Sequence, residues 1–241
     1  SFAARDETGS RSTDLFGSTG LDVRYGLSSN ISLNATLNPD FGQVEADPAV
    51  VNLSVFETFF REQRPFFVEG SSVFNMPGVY LFGVTGYSSL FHSRRIGRRP
   101  GRFGIPDGAA EISRPDASTI LGAAKLSGKT ESGMSFAVLE TLTAAEYALL
   151  EETTTNPVTG KTQRVERDHL VEPMTNHFVA RAVQDVGALS KLGATMTAMN
   201  GEGFAPAYVG SIDATRRFSE GGARVFGRLA ASRNGAFDDR S

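Results

Sequence analysis

Residues 21–38 read LDVRYGLSSNISLNATLN, and apolar and polar side chains alternate along both halves of this stretch. The apolar positions are Leu21, Val23, Tyr25 and Leu27 in the first half and Ile31, Leu33, Ala35 and Leu37 in the second. This period of two predicts β-strands, because successive side chains of a strand leave on opposite faces. Ser28-Ser29-Asn30 separates the runs, so the stretch predicts an antiparallel hairpin with one apolar and one polar face.

The same alternation returns between residues 120 and 232, where short turns separate the runs. The predicted strands are roughly 9 to 12 residues long, which matches the ~9–11 residues that cross a bilayer at a tilt. The polar face carries full charges, which include Arg24, Arg181, Asp213, Arg224 and Arg228. A soluble sandwich buries its apolar face, whereas an outer-membrane barrel turns that face to lipid. The alternation is compatible with both architectures.

Composition excludes several kinds of site. The chain has 241 residues, no Cys, no Trp, three His and a formal charge of −3. Without Cys it has no disulfide, zinc ribbon or thiol nucleophile, and no apolar run approaches the ~18 residues of a membrane helix. Of the 24 basic residues, 20 are Arg and four are Lys. Because Arg suits fixed, paired geometry, this excess predicts paired cations.

The middle of the chain breaks the alternation. Residues 38–48 form a Pro- and Gly-punctuated acidic loop, and residues 49–64 predict a short strand that passes into a helical turn ending at Arg64-Pro65. Residues 151–168, rich in Thr, Glu and Arg, predict a solvated loop outside a barrel.

Two segments of this middle block carry a family resemblance. NPDFGQVEADPAVVNLSVFETFFREQRPFFVEG (residues 38–70) and LFHSRRIGRRP (residues 90–100) resemble a family of bacterial outer-membrane β-barrel proteins of unknown function. That family usually carries an N-terminal carbohydrate-binding module of the family-nine type. Residues 122–130, 171–181 and 192–200 are similar to later strands of its barrel. The resemblance implies the bacterial outer membrane as location and outer-membrane lipid as partner.

The residues and the resemblance together predict an all-β fold, an antiparallel transmembrane barrel of meander topology that is truncated at both ends. Residues 1–20 would be a disordered or leading segment, and residues 21–241 the N-terminal part of the barrel, with residues 38–110 as an irregular, lumen-facing insertion. The expected function is a pore or transporter-like channel linked to carbohydrate binding or uptake, with saccharides as ligands. The alternatives are a non-transporting anchor or interaction barrel that presents a carbohydrate-binding module, and a soluble β-sandwich binding domain. The sequence does not fix an oligomeric state.

Charged residues of the insertion form the main candidate site. They predict a charge network inside the lumen that could hold a plug or constriction and set selectivity. Its members are Glu57, Arg61, Glu62, Arg64, Glu69, Arg94, Arg95, Arg98 and Arg99. In this network the arginines at 94–99 are expected to face the three glutamates. The negative net charge and the matching acidic run argue against nucleic acid as a partner.

Other chemistries have weaker support. Asp40, Glu45 and Asp47 could offer oxygen ligands to calcium, but an Asp-Pro-rich turn needs no metal, so no cofactor is expected. The phenylalanines of residues 56–74 could stack on sugars, although packing of the insertion explains them better. Glu57 with Glu69, or Ser88 with His92 and Asp107, could be imagined as catalytic groups. Since no catalytic motif supports either set, the chain is not expected to be an enzyme.

Overall fold

A computed structural model describes residues 20–39, 61–75, 80–81, 84–85, 90–155, 160, 162–218 and 223–235. These residues confirm the all-β, antiparallel prediction, with thirteen strands and only short helical turns. The strands are β1 (Leu21–Ser28), β2 (Ile31–Leu37), β3 (Tyr80–Leu81), β4 (Val84–Thr85), β5 (Ala110–Ser113), β6 (Ile120–Lys129), β7 (Met134–Thr143), β8 (Glu146–Thr155), β9 (Thr162–Glu172), β10 (Thr175–Val186), β11 (Ser190–Gly201), β12 (Ala207–Arg217) and β13 (Arg224–Asn234).

Eight of the strands form one sheet in the order β1-β2-β6-β7-β10-β11-β12-β13. Every pair in this sheet is antiparallel, and the predicted hairpin pairs Leu21 with Leu37. Among the described residues β1 and β13 pair with one neighbour each, so the sheet does not close on itself. Within the same residues, no helix has the length and apolar character to span a membrane.

A long hairpin extends beyond the eight-stranded sheet. β7 leads into β8 across two residues, and β9 leads into β10 across Pro173-Met174. β8 pairs with β9, and β5 adds a third strand to this extension. The prediction of a loop over residues 151–168 was therefore wrong for the residues that form β8 and β9. Polar side chains on both faces hide the alternation there, because much of the hairpin is exposed.

The two faces of the eight-stranded sheet differ in chemistry. We call the face that carries Arg181 and Asp213 the inner face, and the opposite face the outer face. Many outer-face apolar side chains are exposed, with 72% of Leu229, 61% of Ile212 and 57% of Leu21 accessible. On the inner face, Arg181 and Asp213 are only 3% and 7% exposed. The sheet thus exposes much of its apolar face and buries this charged pair on the other.

Part of the insertion covers the inner face. Residues 61–75 and 90–103, here called the covering segment, include a helical turn α1 (Pro65–Val68) and 3₁₀ turns at Ser71–Phe74 and Ser93–Arg95. Its buried apolar side chains pack against those of β6, β7 and β10. The resulting core consists of Phe67, Phe74, Ile96, Ile120, Ala137, Leu139 and Val179.

Pro65 begins the helical turn α1, and the four residues before it, 61–64, are not helical. Proline fits this position because its fixed φ suits a helix and its missing N–H is not needed there. The predicted strand and turn upstream, over residues 49–60, lie outside the described residues.

Candidate functional site

The candidate site is the contact between the covering segment and the inner face, and Lys125 is its central cation. Lys125 lies on β6 and is 1% exposed. Its Nζ donates hydrogen bonds to the backbone carbonyl oxygens of Phe66 and Glu69, and it lies 4.9 Å from the centre of the Phe66 ring. Arg24 of β1 forms an ion pair with the Glu69 side chain. Two cations of the sheet therefore hold the end of α1.

A second set of polar contacts joins the two parts of the covering segment. Arg64 donates to both carboxylate oxygens of Glu62, at 2.8 and 2.7 Å, and to the carbonyl oxygens of Ile96 and Ser93, at 2.7 and 2.8 Å. The Ser93 hydroxyl donates to Glu62 at 2.5 Å. The Arg64 guanidinium also lies 4.2 Å from the centre of the Phe67 ring. This network links residues about thirty positions apart in the chain.

The protonation of Glu62 follows from these contacts. Burial by itself would raise the pKa of the Glu62 carboxyl, because it disfavours the charged form. Hydrogen bonds from Arg64 and Ser93 and the charge of Arg64 outweigh burial and lower the pKa from 4.5 to about 2. Glu62 is therefore an anion throughout the physiological pH range.

Glu172 anchors the other end of the covering segment to β9. Its carboxylate accepts hydrogen bonds from the backbone N–H groups of Gly101 and Arg102 at 3.1 and 3.0 Å. It also accepts hydrogen bonds from Nε of Arg102 at 3.1 Å and from a guanidinium nitrogen of Arg98 at 3.3 Å. Four donors thus surround a side chain that is only 5% exposed, and hydrogen bonds to a charged acceptor are among the stronger ones in proteins.

A buried ion pair crosses the inner face beyond the covering segment. Arg181 of β10 donates from one guanidinium nitrogen to both oxygens of Asp213 on β12, at 2.7 and 3.0 Å. Its other terminal nitrogen donates to Thr195 Oγ1 of β11 at 2.7 Å. Gly193 of β11 lies between the two charges, and a Cβ there would meet Asp213 Oδ2 at 2.1 Å. The glycine therefore makes room for a pair that spans three strands.

Among the described residues, two clefts lie on the inner face. One, of about 660 Å³, lies beside the ion pair and is lined by Ser72, Asn75, Arg181, Asp213, Arg217 and Arg224, among others. The other, of about 480 Å³, lies between residues 90–102 and the sheet and includes Arg98, Arg102, Glu172 and His177. Both are within the range of small-molecule sites.

The predicted network residues other than Glu57 lie on the covering segment, but several have partners other than those expected. Glu62 pairs with Arg64, and Glu69 pairs with Arg24 of the sheet. Arg98 pairs with Glu172. The ion pairs of these residues therefore bind the segment internally or to the sheet.

The remaining predicted residues have varied positions. Arg94 donates to the carbonyl oxygen of Arg61 at 3.0 Å. Arg95 lines the smaller cleft, and Arg99 is exposed. Glu57, Ser88 and the acidic trio Asp40, Glu45 and Asp47 lie outside the described residues. In the described part of the chain, no three His, Asp or Glu side chains are grouped to hold a metal ion.

Sequence reasoning missed Lys125, Glu172 and the pairing of Arg181 with Asp213. The alternation did place Arg181 and Asp213 on the polar face, which was the available signal. The signal for Lys125 was its rarity, since the chain has four lysines and this one lies mid-strand. No feature of the neighbouring sequence distinguishes Glu172, because its partners lie about seventy residues upstream.

Comparison with known proteins assigns the chain to a family. Residues 1–216 match the family described as "Domain of unknown function (DUF5916)", and the chain belongs to that family. No curated protein and no solved structure matches the chain.

Proposed function

We propose that this chain is part of an outer-membrane β-barrel that serves as a pore or transporter-like channel. The observation that carries the proposal is the inverted polarity of the eight-stranded sheet. Leu229, Ile212 and Leu21 of the outer face are more than half exposed, whereas Arg181 and Asp213 of the inner face are buried. A transmembrane barrel has this arrangement, because lipid solvates its apolar exterior and its interior is polar.

The soluble sandwich fits this polarity less well. A sandwich packs a second sheet on the apolar face and leaves the polar face to water. Here the covering segment packs on the charged inner face through Phe67, Phe74 and Ile96. An apolar face left in water would favour association or aggregation. A membrane barrel suits both faces, because lipid contacts the apolar face and the polar lumen contains the charged one.

A non-transporting anchor is the second candidate function, and the covering segment is the observation that favours it. The segment fills part of the inner face and is held by Lys125, Arg24 and Glu172. If it blocked the lumen, the barrel would not conduct. The clefts of about 660 and 480 Å³ beside the segment favour the channel.

In the barrel that we propose, β1 and β13 pair with each other or with further strands.

The location and the carbohydrate link have a different basis. Both come from the resemblance of residues 38–70 and 90–100 to the barrel family that usually carries a family-nine carbohydrate-binding module. We propose saccharides as ligands on that basis. The polar inner face, with its arginines and hydroxyl groups, is compatible with sugar hydroxyls as hydrogen-bonding partners.

Expression of the full-length protein in a Gram-negative host tests this proposal. We expect the protein in the outer-membrane fraction, with heat-modifiable migration in gels and conductance in planar bilayers. Ile212→Arg on the outer face should block assembly, because Arg at the bilayer midplane costs about 2–4 kcal/mol in a barrel. Leu229→Ala, which keeps the outer face apolar, is the control and should assemble. Recovery of a soluble periplasmic protein would refute the barrel, and outer-membrane location without conductance would favour the anchor.

A further inference from the structure

The larger cleft of the inner face holds an excess of positive charge. Four cationic side chains line it, Arg181, Lys191, Arg217 and Arg224, against two carboxylates, Asp185 and Asp213. Two of these cations are neutralised within the cleft. Arg181 pairs with Asp213 at 2.7 Å, and Lys191 pairs with Asp185 at 3.2 Å.

Arg217 and Arg224 account for the excess. They lie directly opposite each other in the register of β12 and β13, and both side chains are exposed. In the part of the chain that the structure describes, neither guanidinium has a carboxylate partner or a side-chain hydrogen bond. Like charges opposite each other on neighbouring strands destabilise the pairing. An anion between them would remove that repulsion.

The surrounding groups suit an oxyanion. A guanidinium presents several N–H donors in a plane and binds carboxylate, sulfate or phosphate groups in bidentate fashion. Ser72 and Asn75 of the covering segment line the same cleft and offer hydroxyl and amide groups. The volume of about 660 Å³ exceeds that of a single small ion, so the remainder could hold the body of a larger molecule.

We infer that this cleft is a binding site for an oxyanion, with Arg217 and Arg224 as its two ligating cations. The shared chemistry is a carboxylate, sulfate or phosphate group, either as a free ion or carried on a sugar. This inference goes beyond the proposed function and does not depend on the sheet lying in a membrane. A binding site of this kind makes the inner face selective for anionic over neutral solutes.

The test is isothermal titration calorimetry on the full-length protein in detergent micelles at constant ionic strength. The probes are sodium sulfate, sodium glucuronate and neutral glucose. We expect binding of at least one anionic probe and weaker binding of glucose. A preference for glucuronate over sulfate would identify a sugar-borne carboxylate as the source of the anion, and the reverse preference a free ion. The variant R217Q/R224Q should lose at least tenfold in affinity for the anion.

The control is R216Q, which removes one positive charge from the neighbouring residue on the outer face. It should bind the anionic probe as the unmodified protein does. Because R217Q/R224Q removes a like-charge contact, its melting temperature without anion should equal or exceed that of the unmodified protein, so loss of binding would not reflect unfolding. Equal affinity in R217Q/R224Q, no binding of either anion, or glucose bound as tightly as the better-bound anion would overturn the site. Since the measurement uses neither membranes nor conductance, its failure is distinct from failure of the barrel proposal.

Discussion

Arg181 and Asp213 form a buried ion pair across the intervening strand β11. Gly193 on that strand has no side chain and so leaves room for the pair. Their nitrogen and oxygen atoms are 2.7 Å apart, and their side chains are 2% and 5% exposed. A charge removed from water in this way needs its partner, because an uncompensated buried charge is costly. We expect the pair to keep its geometry only while residue 193 has no side chain.

Substitution of Gly193 tests that relationship. In Gly193→Ala the new methyl group would lie 2.1 Å from Asp213 Oδ2 and 2.8 Å from Arg181 Nη2, so at least one of these side chains must shift and the pair is disturbed. We expect a loss of up to about 3–5 kcal/mol in the free energy of unfolding, the cost of breaking a buried pair. Urea unfolding of the full-length protein measures it.

Gly210→Ala is the matched control, because a Cβ at Gly210 of the adjacent strand β12 has no neighbour within 4 Å. It should change the unfolding free energy by less than about 1 kcal/mol. Equal effects of the two substitutions would show that Gly193 serves no role in accommodating the pair.

Lys125 should control the mobility of α1. Lys125→Met removes the cation that donates to the carbonyl oxygens of Phe66 and Glu69. Hydrogen bonds from a charged donor contribute about 1.5–3 kcal/mol each. Hydrogen exchange of backbone amides in residues 65–70 should therefore accelerate by at least about tenfold, as measured by mass spectrometry.

Lys129→Met at the end of the same strand is the control for Lys125→Met. Lys129 is 55% exposed and pairs with Asp185, away from α1. Its loss should leave exchange in residues 65–70 unchanged. If Lys125→Met also left that exchange unchanged, the sheet would not hold the covering segment through this lysine.

Glu62 should make stability depend on pH in the acid range. Its pKa falls from 4.5 to about 2 on folding, so between these values the unfolded chain binds more protons and stability rises with pH. The contribution is complete above about pH 5 and disappears as pH falls towards 2. At neutral pH it is on the order of 3 kcal/mol.

Unfolding of the unmodified protein and Glu62→Gln from pH 2 to pH 7 measures this contribution. The difference between them should be largest above pH 5 and approach zero near pH 2. Glu151→Gln is the control, because its ion pair with Arg164 is 3.4 Å long and the Arg164 side chain is 76% exposed. That substitution should cost less than about 1 kcal/mol throughout. A difference for Glu62→Gln that did not vary with pH would contradict the assigned pKa.

The alternation of residues was sufficient to predict the strands of the eight-stranded sheet, because each strand separates apolar from polar side chains. It also placed Leu21 and Leu37 in one hairpin and Arg181 with Asp213 on one face. The alternation did not predict one local irregularity at the start of β6. A bulge lies between Ile120 and Gly122 and shifts the phase of β6. Ile120 joins the buried core, and Leu121 becomes exposed.

The partners within the site could not be predicted, because they depend on distant strands. Arg181 reaches Asp213 only because Gly193 of the strand between them lacks a side chain. Glu62 has Arg64, two residues further along the chain, as its partner, although the arginine cluster of residues 94–99 was the more conspicuous choice. Glu172 binds Arg98 and Arg102 because β9 passes beside the covering segment. Local patterns carry no information on that proximity.

The central proposal, that the outer face contacts lipid, is tested most directly by nitroxide labels at Leu229→Cys and Ala230→Cys. These neighbours on β13 are both exposed and point to opposite faces. In the full-length protein reconstituted in bilayers, power-saturation spectroscopy compares collisions with oxygen and with a water-soluble nickel chelate. We predict that the label at 229 collides with oxygen and not with nickel, and that the label at 230 collides preferentially with nickel. Equal access of nickel to both labels would contradict a lipid-facing sheet.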